Sequence, residues 1–356
     1  MVAQRSRVRE VGLADGVALA RKGRTVIDVR EPAEWEAGHV AGATLLPLGE
    51  LSDRVRASVP DLATPLLVHC EVGRRSALAA ELLAGLGYRD VINLRASISG
   101  WDAAGGAWEA GVAARYARQA LVPEIGAAGQ QRLAESRVLI VGAGGLGSPA
   151  ALYLAAAGIG TIVLVDDDVV DESNLHRQVL HSTDRIGTPK VASAERTLRA
   201  LNPEVRVVVH RERLVGANAD RLLAGADVVI DGTDSLDTRY VINDAAMRLG
   251  LPVVHGSVHR WDGQVTVLGA GGPCYRCLHP EPPPAELAPD CAVAGVVGVV
   301  PGLVGLLQAT EALKLLLGVG RSLVGRVLLV DALAATVDEL RVERDAACPA
   351  CGDGSG

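Results

Sequence analysis

The chain has 356 residues, of which 49% are hydrophobic and 22% are charged, and its formal net charge is −7. This length and apolar content predict two folded domains, each with a buried core. The acidic balance, with no block of Lys or Arg, argues against a protein that tracks nucleic-acid phosphates.

The N-terminal segment is charged through its first ten residues and lacks a long apolar core with a small-residue cleavage site. It is therefore unlike a secretory signal, and we expect a cytoplasmic protein. One long uncharged stretch covers residues 291–310, but its Gly and Pro residues favour a buried helix or a subunit interface over a membrane span. In a reducing compartment, six cysteines indicate thiol chemistry or metal ligands rather than disulfides.

Short apolar runs alternate with a helical pattern over residues 25–110. The runs "TVIDV", "PLLVH" and "DVINL" predict strands, and "RSALAAELLAGLG" predicts a helix. We expect a small α/β domain over residues 7–110. The Gly- and Ala-rich segment 103–114 has no periodicity and predicts a linker.

A lone cysteine, Cys70, stands between the strand "PLLVH" and the predicted helix, in the stretch "CEVGRRS". Backbone N–H groups of such a loop and the helix N-terminus would face the sulfur, and Arg74 and Arg75 add positive charge. These features lower a thiol pKa and stabilise a persulfide. The bland alternative is a buried, inert cysteine.

Residues 7–110 resemble a rhodanese domain through "VIDVREPAEWEAGHVAGA" (26–43) and through the six-residue loop from Cys70 to Arg75, which includes Glu71 and Gly73. The resemblance implies sulfur transfer on Cys70, with Asp28 and Arg30 in structural roles. A phosphatase relative of this fold has a loop one residue longer, so phosphate chemistry is the weaker alternative. The segment "LRASISGW" departs from the paired glycines that usually follow the leucine.

Strand and helix patterns alternate again from residue 118 onward. The strands are expected at 137–142, 161–166, 205–210 and 227–234, with helices between them. Such alternation predicts a mostly parallel sheet with helices on both faces. We assign this domain to residues 115–356.

The stretch "GAGGLG", with Gly142, Gly144, Gly145 and Gly147, follows a strand and opens a helix. In that setting, glycines let the backbone approach a phosphate at a helix N-terminus. Asp166 ends the next strand, where a carboxylate can accept hydrogen bonds from ribose hydroxyls. Alone, this pattern also fits an NAD-dependent oxidoreductase.

Polar and basic side chains are concentrated in the segment after Asp166, which includes Asn174, Arg177, Gln178 and Lys190. A triphosphate under nucleophilic attack requires side-chain cations around its leaving group, whereas backbone amides largely suffice for a dinucleotide. Lys190 is one of only three lysines in the chain. The segment therefore favours ATP over a nicotinamide cofactor.

Residues 115–356 resemble the MoeB/ThiF family, bacterial relatives of ubiquitin-activating enzymes. The resemblance rests on "RYARQ", "DESNLHRQ", "GTPKV", "DGTDSLDTRY", "PCYRC" and "CPAC", which occur in the family's order. It implies that ATP and Mg²⁺ are used to adenylate the C-terminal Gly-Gly of a ubiquitin-fold sulfur carrier protein.

The resemblance also implies roles for individual residues. Asp234 would be the essential carboxylate that positions Mg²⁺. Arg118 would reach the ATP of a partner subunit, which implies a homodimer. The implied nucleotide contacts are Gly145, Asp166, Ser173, Asn174, Arg177, Lys190 and Arg239, with Ser235 replacing the usual Asn.

Two CxxC pairs, Cys274/Cys277 and Cys348/Cys351, supply the four thiolates of a tetrahedral zinc site. With no ligand position left open, we expect one structural Zn²⁺ per chain. A redox pair and disulfides are the alternatives.

Of the remaining cysteines, the family resemblance puts Cys291 on a mobile segment that can link covalently to the carrier or the sulfur donor. Equally, it can be a small hydrophobic residue at a helix start.

Together the two resemblances predict a carrier adenylate attacked by a Cys70 persulfide, which a cysteine desulfurase or another sulfur donor loads. The product would be a carrier thiocarboxylate. Molybdopterin biosynthesis is the expected pathway, with thiamine synthesis, tRNA thiolation or sulfur supply for cysteine and secondary metabolites as alternatives. An oxidoreductase with a rhodanese-like sensor and a non-enzymatic carrier-binding scaffold are the rival classes. No membrane or nucleic-acid partner is expected.

Overall fold

The computed structural model describes residues 8–109, 111–282 and 295–352. By its internal contacts the chain divides into two compact units, residues 1–130 and 131–356. Both units have α/β architecture, as predicted.

The first unit is built on a five-stranded, fully parallel sheet with the order β1-β6-β5-β2-β4. Apolar side chains from both faces of this sheet form two cores. The elements are β1 Arg9–Val11, α1 Leu13–Arg21, β2 Thr25–Asp28, α2 Pro32–Glu36, β3 His39–Val40, β4 Thr44–Leu45, α3 Leu51–Ser58, β5 Leu66–His69, α4 Arg74–Gly85, β6 Val91–Leu94 and β7 Trp108–Glu109. The fully buried strand β5 ends directly before Cys70 and lies in the middle of the sheet, so a rigid element positions this thiol.

The segment predicted to be a linker contains a strand. Trp108–Glu109 forms β7 and pairs antiparallel with β3. The Trp108 indole packs against Gly38, where a Cβ would lie only 2.8 Å from the indole nitrogen. The predicted linker over 103–114 therefore contains a short strand, because one aromatic side chain supplies the apolar anchor that the surrounding glycines and alanines lack.

The second unit contains an eight-stranded sheet with the order β10-β9-β8-β11-β12-β13-β14-β15. The pairs from β10 to β12 are parallel, and those from β12 to β15 are antiparallel. The remaining elements, in chain order, are α5 Gly126–Glu135, β8 Arg137–Val141, α6 Gly147–Ala157, β9 Thr161–Val165, α7 Lys190–Leu201, β10 Arg206–His210, α8 Gly216–Leu223, β11 Val228–Asp231, α9 Leu236–Leu249, β12 Val253–His259, β13 Asp262–Leu268, α10 Tyr275–Leu278, α11 Val299–Leu317, β14 Arg326–Asp331 and β15 Thr336–Arg341.

The strand order reverses between β8 and β11, because the chain runs outward from β8 through β9 to β10 and then returns to the other side of β8. Loops at the carboxyl ends of two such strands diverge and leave a crevice, which is where open α/β sheets bind ligands. The loop after β8 carries the glycine stretch, and the loop after β11 carries Asp234. The topology thus brings the two motifs to one crevice.

Helix α11 is apolar and long enough to cross a membrane by length and composition. In this structure it packs on α6 and on strands β12 and β13. Gly305 allows the close approach, since a Cβ there would lie 2.4 Å from the Leu146 carbonyl oxygen. The uncharged stretch thus supplies a core helix that begins at Val299, while Cys291 falls outside the described residues.

Candidate functional site

The glycine loop after β8 is a tight turn closed by backbone contacts. Gly142 has a φ of 93°, a region that favours glycine. At Gly147 a Cβ would lie 1.8 Å from the Gly142 carbonyl oxygen, so no other residue fits there. Gly147 therefore serves the fold of the loop, whereas Gly142, Gly144 and Gly145 line the cleft above it.

Asp166 is fixed at the end of β9 by backbone donors. Its Oδ2 accepts the Ala143 N–H at 2.8 Å, and its Oδ1 accepts the Asp168 N–H at 2.8 Å. Burial raises the pKa of this carboxyl group, and the positive charge of Lys190 and the two backbone donors oppose that rise. The side chain is held beside the glycine loop, as a ribose-binding carboxylate requires.

One cleft brings most of the predicted nucleotide-binding residues together. Its volume is about 1120 Å³, including the solvent at its mouth. Predicted residues that line it are Gly142, Gly144, Gly145, Asp166, Arg177, Lys190, Asp234, Ser235 and Arg239. The elements that supply them are separated by almost a hundred residues of sequence, and the crevice between β8 and β11 is what joins them.

Ser173 and Asn174 do not line the cleft. Their side chains form hydrogen bonds with neighbouring residues of the same segment. The Ser173 hydroxyl donates to Asp171 Oδ1 at 2.5 Å. Asn174 Oδ1 accepts a hydrogen bond at 2.7 Å from Arg177, which itself faces the cleft. In this structure both residues therefore shape the segment that presents Arg177.

The loop after β11 presents Asp234 to solvent. Within the described part of the chain, no hydrogen bond or ion pair engages its carboxylate, which is exposed. Next to it, the Ser235 hydroxyl caps α9 by accepting the Thr238 N–H at 3.3 Å. Arg239 donates to the Thr233 carbonyl at 3.2 Å. Asp234 is thus free to take a ligand while its neighbours fix the loop.

In the first unit, several hydrogen-bond donors face the sulfur of Cys70. The Ser76 N–H and the Ser76 hydroxyl lie 3.4 and 3.5 Å from its sulfur. Burial raises the pKa of this thiol, but the hydrogen bonds from Ser76 and from the Val72 and Gly73 backbone outweigh burial and bring the pKa below its ordinary value. The site therefore favours a sulfur anion, as expected for a persulfide-carrying loop.

The charged residues around Cys70 differ in whether their side chains form ion pairs. Arg75 forms a bidentate ion pair with Glu34, at 2.6 and 2.7 Å. Glu71 lies 3.6 Å from Arg30, which is otherwise paired with Asp28. Arg74 is exposed and has no ion pair among residues 8–109. Of the two arginines in the loop, only Arg74 thus remains available to an incoming partner.

The four predicted zinc ligands converge. Their sulfurs all lie within 4.8 Å of one another, with the Cys274–Cys348 and Cys277–Cys351 pairs at 3.5 and 3.4 Å. Zn–S bonds of about 2.3 Å in a tetrahedron place sulfurs about 3.8 Å apart, so the cluster fits Zn²⁺. Burial raises the pKa of the Cys274 thiol, a cost that a thiolate-binding cation removes.

Comparison with known proteins decides the family. The ThiF family matches residues 116–350, and the rhodanese-like domain matches residues 15–104. The chain belongs to the ThiF family. The predicted family and the N-terminal rhodanese domain are both confirmed.

Several ThiF relatives are similar over most of their length. A "SAMP-activating enzyme E1" of Haloferax volcanii is 50% identical over 240 residues, 67% of this chain and 89% of the relative. A "Sulfur carrier protein adenylyltransferase" of Thermus thermophilus is 51% identical over 245 residues, 67% and 90% of the two chains. The "Probable adenylyltransferase/sulfurtransferase MoeZ" of Mycobacterium tuberculosis is 46% identical over 241 residues, 66% and 62% of the two.

Among solved structures, E. coli MccB with ATP matches with a TM-score of 0.59 at 22% identity. The match covers 68% of this chain and 75% of MccB. At this identity the likeness supports the shared fold alone.

The sequence analysis missed one buried residue beside the glycine loop, His181. His181 contacts the Ala143 carbonyl at 2.9 Å through Nε2 and the Ser193 hydroxyl at 3.0 Å through Nδ1. Burial lowers the pKa of this imidazole and so favours its neutral form beside the glycine loop. Gln178 lines the cleft with its buried Oε1 unpartnered among the described residues. Gln178 belongs to the polar segment after Asp166 that the sequence analysis predicted to favour ATP.

The structure does not test the predicted roles of Arg118 and Cys291. Arg118 is exposed in the turn after a short 3₁₀-helix, Ala114–Tyr116. Its predicted role involves a partner subunit and remains a prediction. Cys291 lies outside the described residues, and its role remains a prediction too.

Proposed function

We propose that this chain adenylates the C-terminal glycine of a ubiquitin-fold sulfur carrier protein and then transfers sulfur to it from Cys70. The observation that supports the proposal most directly is the meeting of Arg177, Lys190 and Asp234 at the glycine loop. The names of the relatives agree with it, since they include a sulfur carrier protein adenylyltransferase and an adenylyltransferase/sulfurtransferase. We retain residues 7–110 and 115–356 as the two functional domains, joined by the linker at 103–114.

In the first step, a carboxylate oxygen of the carrier attacks the α-phosphorus of ATP. The bond from that phosphorus to the β-phosphate oxygen breaks, so an acyl-adenylate and pyrophosphate form. Arg177 and Lys190 would stabilise the negative charge on the phosphates, and Asp166 would bind the ribose. Asp234 carries the ligand that Mg²⁺ prefers, an unpaired carboxylate, and would hold that ion on the phosphates.

In the second step, the terminal sulfur of a Cys70 persulfide attacks the acyl carbon and AMP leaves. The resulting acyl disulfide joins the carrier to Cys70. A second thiol, for which Cys291 is our candidate, then attacks the Cys70 sulfur and releases the thiocarboxylate. The disulfide left behind is reduced by a cellular dithiol. A cysteine desulfurase or another persulfide donor would reload Cys70, whose donor ring stabilises the anionic sulfur.

The proposal includes two further features. The four-cysteine cluster would hold one structural Zn²⁺, which ties the segment at 348–351 to the segment at 274–277. The chain would act as a homodimer in which Arg118 contacts the partner's nucleotide. We place the enzyme in the cytoplasm, where thiols remain reduced.

The test is ATP–pyrophosphate exchange with a panel of purified carriers from molybdopterin, thiamine and tRNA-thiolation pathways. One carrier should stimulate exchange, and Asp234→Ala should abolish it. Asp237→Asn is the matched control, because Asp237 is an exposed acid on the first turn of α9 and does not line the cleft. Cys70→Ser should retain exchange and lose thiocarboxylate formation. If none of the carriers stimulates pyrophosphate exchange, the adenylation proposal is wrong.

A further inference from the structure

The backbone of Ala143, the second residue of the glycine loop, is held from both sides by side chains. Its N–H donates to Asp166 Oδ2 at 2.8 Å. Its carbonyl oxygen lies 2.9 Å from His181 Nε2 and also accepts the Ser148 hydroxyl at 3.3 Å. Because a carbonyl oxygen can only accept, His181 Nε2 is the donor of the shorter bond. His181 thus contacts a loop that lies 38 residues before it in the sequence.

The imidazole of His181 is itself fixed by Ser193, and both residues are buried. His181 Nδ1 lies 3.0 Å from the Ser193 hydroxyl oxygen, which accepts a hydrogen bond from Arg185 at 3.2 Å. With the proton of the neutral imidazole on Nε2, Nδ1 accepts and the Ser193 hydroxyl donates to it. Ser193 lies in the first turn of α7, the helix that begins at Lys190. The imidazole therefore joins the glycine loop to the helix that supplies the lysine of the cleft.

The Ala143 carbonyl and the Gly144 N–H belong to one planar peptide group. In a trans peptide the two groups point in opposite directions, so a carbonyl directed at His181 turns the Gly144 N–H away from His181. Gly144 lines the cleft, and among the residues that the structure describes no hydrogen bond engages its N–H. A backbone N–H left unpaired beside the start of a helix is a donor suited to an anion.

We propose that His181 is a positioning residue for nucleotide binding: it holds the Ala143–Gly144 peptide group so that the Gly144 N–H donates to a phosphate oxygen of the nucleotide. The inference rests on the proposed function, because it takes ATP as the ligand. His181 does not line the cleft and so acts through the loop. A donor that is fixed in advance loses little freedom when the ligand binds. Releasing it should weaken phosphate binding in the ground and transition states alike, so KM for ATP should rise while kcat stays nearly unchanged.

The decisive comparison is His181→Asn against His181→Gln, measured as the Kd of ATP by calorimetric titration. Glutamine can place an amide N–H where Nε2 lies, whereas asparagine is shorter by one methylene and cannot reach the Ala143 carbonyl. His181→Asn should raise the Kd of ATP about ten-fold, and His181→Gln should stay within about three-fold of the wild type. Adenosine carries no phosphate, so its Kd should change less than about two-fold in both variants, which a general disruption of the cleft would not produce.

Ser136→Ala is the control for loss of a buried hydrogen bond in the second unit. The Ser136 hydroxyl donates to the Arg132 carbonyl at 2.6 Å, and the residue does not line the cleft, so this variant should keep the wild-type Kd of ATP. Wild-type ATP affinity in His181→Asn, an equal loss in His181→Gln, or an equal loss of adenosine affinity would overturn the proposal. These titrations need no carrier. If no carrier stimulates pyrophosphate exchange, adenylation fails, while the ATP and adenosine affinities still decide the role of His181.

Discussion

Lys190 Nζ lies 2.9 Å from Asp168 Oδ2, and the lysine is buried while the aspartate is exposed. The Lys190 N–H also donates to the Asp168 carbonyl at 2.9 Å. A buried ammonium requires a partner, because desolvation without compensation is costly. We infer that Asp168 keeps the cation in place when no phosphate is bound and that a nucleotide phosphate replaces or shares that contact.

Lys190→Ala should therefore lower pyrophosphate exchange by about 100-fold or more, because a fixed cation at the phosphates is removed. Lys190→Arg should restore part of the activity, since the charge returns with a different geometry. The measurement is the carrier-stimulated exchange rate. Lys22→Ala is the control, as Lys22 is an exposed lysine of the first unit. A Lys190→Ala enzyme with wild-type exchange would contradict the role given to this cation.

Ser76 places two donors beside the Cys70 sulfur, its N–H at 3.4 Å and its hydroxyl at 3.5 Å. Ser76→Ala removes the hydroxyl and keeps the backbone N–H, so the pKa of Cys70 should rise and less thiolate should form at neutral pH. The measurement is the ultraviolet absorbance of thiolate against pH, taken as the difference from a Cys70→Ser protein. Ser99→Ala is the control, because Ser99 is exposed and hydrogen-bonds to Ser97. An unchanged titration in Ser76→Ala would show that the Ser76 hydroxyl does not lower the pKa of Cys70.

The parallel strands and the cysteine cluster could be predicted from the sequence, because apolar runs and CxxC spacing are local signals. The strands β12–β15 were not assigned. Strand β15 exposes all six of its residues, and β14 buries only two of its six, without a clear alternation. The buried pair of Asp231 and His255 also could not be predicted, since 24 residues separate the partners and only the sheet register joins them.

The residues around the cleft also divide into those with a local signal in the sequence and those that only the fold brings into place. Gly142 and Asp166 directly follow strands, Lys190 begins α7, and Asp234 lies in the short loop between β11 and α9, so element boundaries mark these positions in the sequence. His181 follows no such boundary and was missed, because its contact with the Ala143 carbonyl depends on how the segment after β9 folds back over the glycine loop.

His69 should make the first unit sensitive to acid. Its side chain is fully buried, and burial lowers the pKa of this imidazole from 6.5 to about 4. Between these values the unfolded chain binds a proton that the folded chain does not bind, so the free energy of unfolding falls as the pH is lowered. The contribution of His69 to the free energy of unfolding is fully present above pH 6.5, the pKa in the unfolded chain, and is lost as the pH falls to about 4, the pKa in the folded chain. The total loss is about 3 kcal/mol.

His69→Gln removes this titration, so the free energy of unfolding should depend less on pH between 7 and 4 than in the wild type. Tryptophan fluorescence during denaturation measures it, because Trp35, Trp101 and Trp108 belong to the first unit. His259→Gln changes an exposed histidine and should leave the slope unchanged. Parallel slopes for His69→Gln and the wild type would show that other groups cause the acid sensitivity.

The cysteine cluster should bind one zinc ion per chain, and Cys348→Ser should remove it. A structural site that joins distant segments stabilises the fold through the free energy of metal binding, so the thermal midpoint of the second unit should fall when the ion is lost. Elemental analysis and calorimetry measure the two effects. Cys70→Ser is the control, since that thiol lies in the first unit and should leave the zinc content unchanged. A strong chelator should reproduce the effect of Cys348→Ser, and a wild-type protein that keeps its midpoint without zinc would show that the four sulfurs are held together by packing alone.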